Sequence, residues 1–243
     1  MDVKKLLVFD IFAPFAHFRV PYTTTSPITY PIPPKTAIAG IVSAIIGIDK
    51  NEYLSYFNSS NFRVGIRIIN PIKMIHISEN FLNVKDIKFF ARWEKGKNPK
   101  TQIKVEFLKD VKYRLYIWHS DEKIYTDLKE KLSDHQSYYS LCMGLSECLT
   151  NFEFVGEYIV NKKEEGKGEV EISSVIPLGK ITQDSLVFDN APSRYLKVHL
   201  PVELSKDREL LKTEEILIER DGRGIKLQKV EFLECNSENI FLF

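Results

Sequence analysis

Apolar residues fill Leu6 to Phe12 almost without a break, which predicts a strand covered on both faces and therefore central in its sheet. From Pro34 to Ile46 the period lengthens. Ile38, Ile41, Val42, Ile45 and Ile46 recur at helical spacing, and Ala37, Gly40 and Ala44 form a thin second face expected to pack closely on the sheet. Pro33 holds its predecessor extended, Pro34 suits the first helical turn where its missing N–H has no partner to lose, and Gly47 supplies the stop. Asn51 to Phe57 predicts a short helical turn with Tyr53, Leu54 and Phe57 pointing inward.

The period then falls to two. Val64, Ile66 and Ile68 alternate with Arg63, Gly65 and Arg67, and Val111, Tyr113, Leu115 and Ile117 alternate with Lys112, Arg114, Tyr116 and Trp118. Each strand has an apolar face and a basic or aromatic one, and the two fit a single sheet. Asp121 to Leu132 reads as a charged surface helix, Leu141 to Leu149 as a shorter helix, and Phe152 to Val160 as a strand with Phe152, Phe154, Tyr158 and Val160 in register. The order β-α-β-β-α-β predicts an α+β, ferredoxin-like or RRM-like domain over residues 1–160. In the RRM, single-stranded RNA is read on a sheet face. Ser78 to Lys109 separates the middle strands by far more than the ~2–5 residues of a hairpin loop. After Val160, KKEEGKGE predicts a charged loop, and residues 161–243 a smaller β-rich region. Its strand-like runs are Val170 to Ile176, Leu186 to Phe188, Tyr195 to Val202, Ile216 to Ile218 and Ile225 to Phe232, and Asp221-Gly222 is a hairpin-turn signal.

Hydrophobic residues make up 44% and aromatics 12% of the 243 positions, ample for a core. The longest apolar run falls well short of the ~20 residues of a membrane span. The first residues carry no signal-peptide pattern, so a cytoplasmic location without membrane contact is expected. Cys142, Cys148 and Cys235 form no CxxC pair and read as buried small hydrophobes. Net charge is only +1, so a nucleic-acid role has to come from local clustering.

Such a cluster lies in the long interruption. Lys85 to Lys104 holds seven Lys or Arg against Asp86 and Glu94, with Phe89, Phe90 and Trp93 interleaved. Lys88, Arg92, Lys95, Lys97, Lys100 and Lys104 suit phosphate neutralisation and the aromatics suit base stacking; a solvated hairpin packed on the domain is the alternative. The loop from His17 to Pro34 offers His17, Arg19, Tyr22 and Tyr30 ahead of a helix start carrying Lys35 and Thr36. There free N–H groups favour phosphate, unless the prolines simply fix the chain's entry. Arg220 and Arg223 flank Gly222 and Gly224 in RDGRG, which permits either close approach to RNA or a plain β-turn. The five histidines are scattered, and neither a metal-ligand set nor a nucleotide-binding loop is present, so no metal or cofactor is expected. Metal-free RNA cleavage would require a general base and acid, for which His17, His119, His135 and the tyrosines are loose candidates.

Three blocks together, YPIPPKTAIAGIVSAIIG from Tyr30, NPKTQIKVEFLKDVKYRLYI from Asn98 and GLSECLTNFEFVGEY from Gly144, resemble the CRISPR-associated Cas-five family in its type I-B form, over roughly residues 5–160. The resemblance implies a subunit of the antiviral surveillance complex Cascade, built on the RAMP superfamily scaffold and capping the 5′ handle of the CRISPR RNA (crRNA). It implies that the interruption, about residues 78–110, is a thumb-like β-hairpin over the RNA. It further implies contacts to a backbone subunit and a large subunit, and to target DNA only through the complex. A type I-C branch cleaves the repeat, but its Tyr-Lys-His set has no match here. A non-catalytic role is therefore expected, with a metal-independent repeat endoribonuclease as the alternative.

Overall fold

The computed structural model describes residues 3–23, 25–82, 100–165, 168–187 and 193–243. Strand β1 (Lys5–Ala16) is followed by α1 (Lys35–Ile46), α2 (Tyr53–Tyr56), β2 (Phe62–Ile68), β3 (Lys73–Leu82), β4 (Lys100–His119), α3 (Glu122–Ser133) and β5 (Asn151–Glu165). The largest sheet runs β12-β11-β5-β1-β4-β2, with β3 also on β4, where β11 is Val230–Cys235 and β12 is Glu238–Ile240. Its paired strands are antiparallel.

β1 is central, as its apolar run predicts. Leu7, Phe9 and Ile11 join the larger core with Ile38, Val42 and Ile45 of α1 and Leu128 and Leu132 of α3, while Leu6 and Val8 join a second core with Tyr116, Cys235, Ile240 and Leu242. The helices thus cover one face and the C-terminal strands the other. α1 begins after Pro34 and ends on Gly47, whose φ of 84° is the left-handed conformation that a C′ glycine adopts at little cost. α3 is capped by Asp121, whose carboxylate accepts from Lys123 N at 2.8 Å and Ile124 N at 3.3 Å.

Several expectations are corrected. Leu141 to Leu149 is an irregular loop closed by a Cys142–Leu149 bridge. Gly144 sits there at φ 92°, and a Cβ on it would lie 1.9 Å from the His17 carbonyl oxygen, so chain approach overrides helical spacing. The apolar residues of β5 do not share one face. A bulge opposite Val8 and Phe9 inserts Val155, so Phe152 and Phe154 meet the larger core while Val155, Tyr158 and Val160 meet the second. The charged run after Val160 begins as strand: β5 continues through Glu165 against β11, with ion pairs Lys162–Glu231 and Lys163–Glu234 along the ribbon.

Beyond β5 lie β6 (Val170–Ile172), β7 (Ile176–Pro177), β8 (Tyr195–Leu204), β9 (Leu210–Glu219) and β10 (Ile225–Leu227). Asp221-Gly222 does not close a β9–β10 hairpin, because β9 pairs with β7 and β8 whereas β10 pairs with β6. The turn passes the chain between sheets and is held by the Glu219 carboxylate, which accepts from the backbone N of Asp221, Arg223 and Arg194 at 2.9, 2.8 and 3.1 Å. Among the described residues no helix is long and apolar enough to cross a membrane.

Candidate nucleic-acid interface

The two middle strands are separated by more strand. β3 and the first half of β4 pair from Lys73–Lys109 to Leu82–Lys100, extending past the end of β2. Alternate residues share a face, so His76, Ser78, Leu82, Lys100, Lys104 and Glu106 lie on one side, with Ile75, Ile77, Val105 and Phe107 on the other. The apolar side joins the larger core.

Where β1 ends at Ala16, the next residues continue along the free edge of β4. The His17 ring Nδ1 lies 2.7 Å from Glu106 O, Glu106 N donates to Pro27 O at 2.9 Å, and Thr29 N donates to Glu106 Oε1 at 3.1 Å. Backbone bonds Val20 N to Ile28 O and Tyr30 N to Phe18 O fold residues 17–31 into an irregular hairpin with Tyr22 near its tip. Glu106 therefore ties this loop to the strand that carries Lys100 and Lys104.

The sequence-predicted residues do not share one environment. Arg19, Tyr22, Lys100 and Lys104 are exposed, Tyr22 at 79%. Tyr30 is half-buried, and burial followed by the neighbouring Tyr22 raises its phenol pKa, so it stays neutral. His17 is 2% exposed with its ring against Phe107, and Lys35 is also 2% exposed; neither presents its side chain to solvent. Arg220 donates through Nε to Ile72 O at 3.2 Å, tying the RDGRG turn to the chain beyond β2, whereas Arg223 is exposed. Lys88, Arg92, Trp93 and Lys97 lie outside the described residues.

Thr36 opens a different surface. The small face of α1 does not pack on the sheet. Thr36, Ala37, Gly40 and Ala44 instead line a cleft of about 510 Å³, walled by Tyr53, Tyr139 and Arg208. A Cβ added to Gly40 would meet nothing within 4 Å. Tyr139 N donates to Ala44 O at 3.0 Å, fixing that wall to the end of the helix. Sequence reasoning missed Tyr139 and Arg208; the Tyr138-Tyr139 pair and the alanine–glycine stripe were the available signals.

The basic side of the sheet is not free. Arg114 donates to Asp10 through Nε at 2.8 Å and to Glu238 through Nη1 at 3.1 Å, Arg67 and the Tyr116 hydroxyl also donate to Glu238, and Lys112 pairs with Asp10 at 3.3 Å. Burial, and then the Glu238 bond, push the Tyr116 phenol far up. Burial raises the Cys148 and Cys235 thiols to about 11, so both are protonated at neutral pH and behave as packing groups.

The profile of the family described as "CRISPR-associated protein (Cas_Cas5)" matches residues 6–216. No curated protein matches the sequence. A crystal structure of a CRISPR protein from Archaeoglobus fulgidus is similar at a TM-score of 0.58, with 14% identity, covering 97% of this chain and 98% of its own. A chain of a CRISPR RNA-guided surveillance complex is similar at a TM-score of 0.54, with 12% identity and 91% of each chain covered.

Proposed function

Because the chain belongs to the Cas-five family of CRISPR-associated proteins, we propose that it is a non-catalytic RNA-binding subunit of a type I-B surveillance complex. In this reading it holds the 5′ handle of crRNA, contacts a backbone and a large subunit, and meets target DNA only through the complex. The strand order β5-β1-β4-β2, with α1 and α3 on one face, supports a ferredoxin-like scaffold of the RAMP type. The β3–β4 extension supports the thumb. Likeness to a chain of an RNA-guided complex supports the assembly.

The observation that carries the reading is the anchoring of the 17–31 loop on Glu106. It ties the loop that carries exposed Tyr22 and Arg19 to the strand that carries exposed Lys100 and Lys104. Stacking on Tyr22 and phosphate contact by the lysines suit a single strand with splayed bases. The buried sheet face leaves RNA to these edges.

Two of the three candidate histidines support the non-catalytic part, while His135 is exposed. His17 and His119 are buried, and His119 has both ring nitrogens engaged, by Tyr56 O at 2.8 Å and Asp121 N at 3.0 Å.

The test is binding of handle RNA across a salt series. Tyr22→Ala is expected to cost about 1–3 kcal/mol of affinity. The double variant Lys100→Ala/Lys104→Ala is expected to weaken binding and flatten the log–log salt slope by about 1.4. Unchanged affinity in both variants would remove this interface. Equal binding of unrelated RNA of the same length would reduce the protein to a general RNA binder, and discrete cleavage of repeat RNA in chelator would make it an enzyme.

A further inference from the structure

The cleft along α1 plays no part in the interface proposed above. Its floor is the outer side of the helix, formed by Ala37, Gly40 and Ala44 with Ile41 and Ile48 beside them. Glycine in a helix interior lowers stability relative to alanine. No neighbour in the chain requires glycine at position 40, since a Cβ there would meet nothing within 4 Å. The residue keeps open a space that the chain itself leaves unfilled. At about 510 Å³ that space falls within the ~300–1,000 Å³ of small-molecule sites.

Three separate segments hold the walls. α2 carries Tyr53, half-buried against the larger core. The segment after α3 carries Tyr139 and Ser140, and Tyr139, 46% exposed, is fixed by its backbone N–H on Ala44 O. The turn between β8 and β9 carries Arg208. Leu200 and Val202 of β8 share the larger core with α1, and the turn is closed by Ser205 N donating to Glu209 O and Arg208 N to Ser205 O, both at 2.9 Å. The Arg208 guanidinium donates only to a neutral acceptor, Lys50 O at 3.5 Å, and has no carboxylate partner among the described residues. Lys50 and Asp49 are the other charged residues of the lining, and the Asp49 carboxylate already accepts from Asn51 N at 2.8 Å. Two cations thus stand against one engaged carboxylate. The hydroxyls of Thr36, Tyr53, Tyr139 and Ser140, all from lining residues, have no hydrogen-bond partner among the described residues.

The chemistry of these groups narrows the ligand. Phenol rings offer stacking surface to an aromatic ring, and the bare backbone at Gly40 lets a flat ring lie closer to the helix than a side chain would allow. Hydroxyls suit the polar edge of a heterocycle, and a guanidinium matches phosphate with two parallel hydrogen bonds. A purely apolar occupant would cover the hydroxyls and Arg208 without satisfying them. We infer that the cleft over Gly40 is a binding site for one nucleotide, with the base beside Tyr53 and Tyr139 and the phosphate on Arg208. The nucleotide is either free or, on the RNA-binding reading above, one residue of the bound strand.

The test uses the full chain. Calorimetric titration with AMP, GMP, CMP and UMP is set against ribose 5-phosphate, which has the phosphate without the base, and handle-RNA affinity is measured alongside. Both are done for wild type, Gly40→Leu, Tyr139→Ala and Arg208→Ala. Gly40→Leu fills the cleft and replaces glycine by a better helix former, so its Tm is expected at or above that of wild type. Tyr139 and Arg208 are exposed, which keeps the test intact if the filled helix misfolds. At least one nucleotide is expected to bind wild type about tenfold or more tighter than ribose 5-phosphate does. That affinity should fall about fivefold or more in Tyr139→Ala and about tenfold or more in Arg208→Ala, and vanish in Gly40→Leu.

Weakened RNA binding in the same variants assigns the site to a residue of the bound strand, and unchanged RNA binding assigns it to a free nucleotide. No nucleotide binding, equal affinity for ribose 5-phosphate, or nucleotide binding that survives in folded Gly40→Leu would overturn the site and return the cleft to a protein partner. If no nucleotide binds and the three variants hold RNA normally while Tyr22→Ala does not, the site fails and the proposed function stands. If wild type binds a nucleotide but no RNA, the proposed function fails and the site stands.

Discussion

An ammonium buried at the start of a helix works against folding, and Lys35 makes that cost measurable. Burial first, and then Arg63, lower its pKa from 10.5 to about 8. Between those values the folded chain binds fewer protons than the unfolded one, so this residue makes stability rise with pH across that window. Below pH 8 both states carry the charge and the full penalty of about 3 kcal/mol applies. Methionine keeps an unbranched apolar stem without the charge. Lys35→Met is therefore expected to be more stable than wild type by up to about 3 kcal/mol at pH 7, with the gap narrowing toward pH 10.5. Urea unfolding at pH 7 and pH 10 measures it, and a gap that is absent or grows with pH contradicts the assignment.

At the scale of elements, local chemistry and chain approach decide different boundaries. α3 starts where its sequence says it should, because Asp121 satisfies two of the N–H groups that a helix leaves open. Asp121→Ala is expected to lower stability by about 1 kcal/mol and Asp121→Ser to restore most of it, read by thermal unfolding. Leu141 to Leu149 behaves otherwise: the Gly144 backbone lies against the His17 carbonyl, a partner more than a hundred positions away that no helical periodicity encodes. β5 likewise reads as one alternating strand until Val155 is inserted, after which its side chains exchange cores. Strand type was legible in both halves. The face each half covers was not, because a single bulge inverts it.

For the whole molecule, the decisive feature is the attachment of the C-terminal strands to the sheet. Glu238 on β12 accepts from Arg67, Arg114 and Tyr116 at once, with Arg67 Nε already buried and without a partner. Removing one member of such a network strands the others. Glu238→Ala is expected to destabilise the chain by about 3–5 kcal/mol. Amide exchange should accelerate first in β11 and β12, and unchanged protection there would show that apolar packing alone holds the strands. The same attachment engages Arg67, Arg114 and Tyr116 on the basic side of the sheet, which is why the proposed RNA contact is assigned to the loop and the hairpin.

The amino-acid sequence by itself determined the central strand, α1 with its proline start and glycine stop, α3 as a charged surface helix, the alternating β2 and β4, and the blocks that mark the family. Each depends on periodicity or capping within a few residues, so the information is local. Tertiary structure alone decided which charges remain available. Arg67 and Glu238 are 171 positions apart, and alternation tells which side of a strand Arg67 takes but not what covers that side. The same holds for the thin face of α1, read as a packing surface and found open. Its glycine and alanines permit close approach, but whether a neighbour comes close is settled by where the rest of the chain folds. Lys35 joins both halves: the sequence placed it at a helix start, and only the fold buried it over the Phe62 ring.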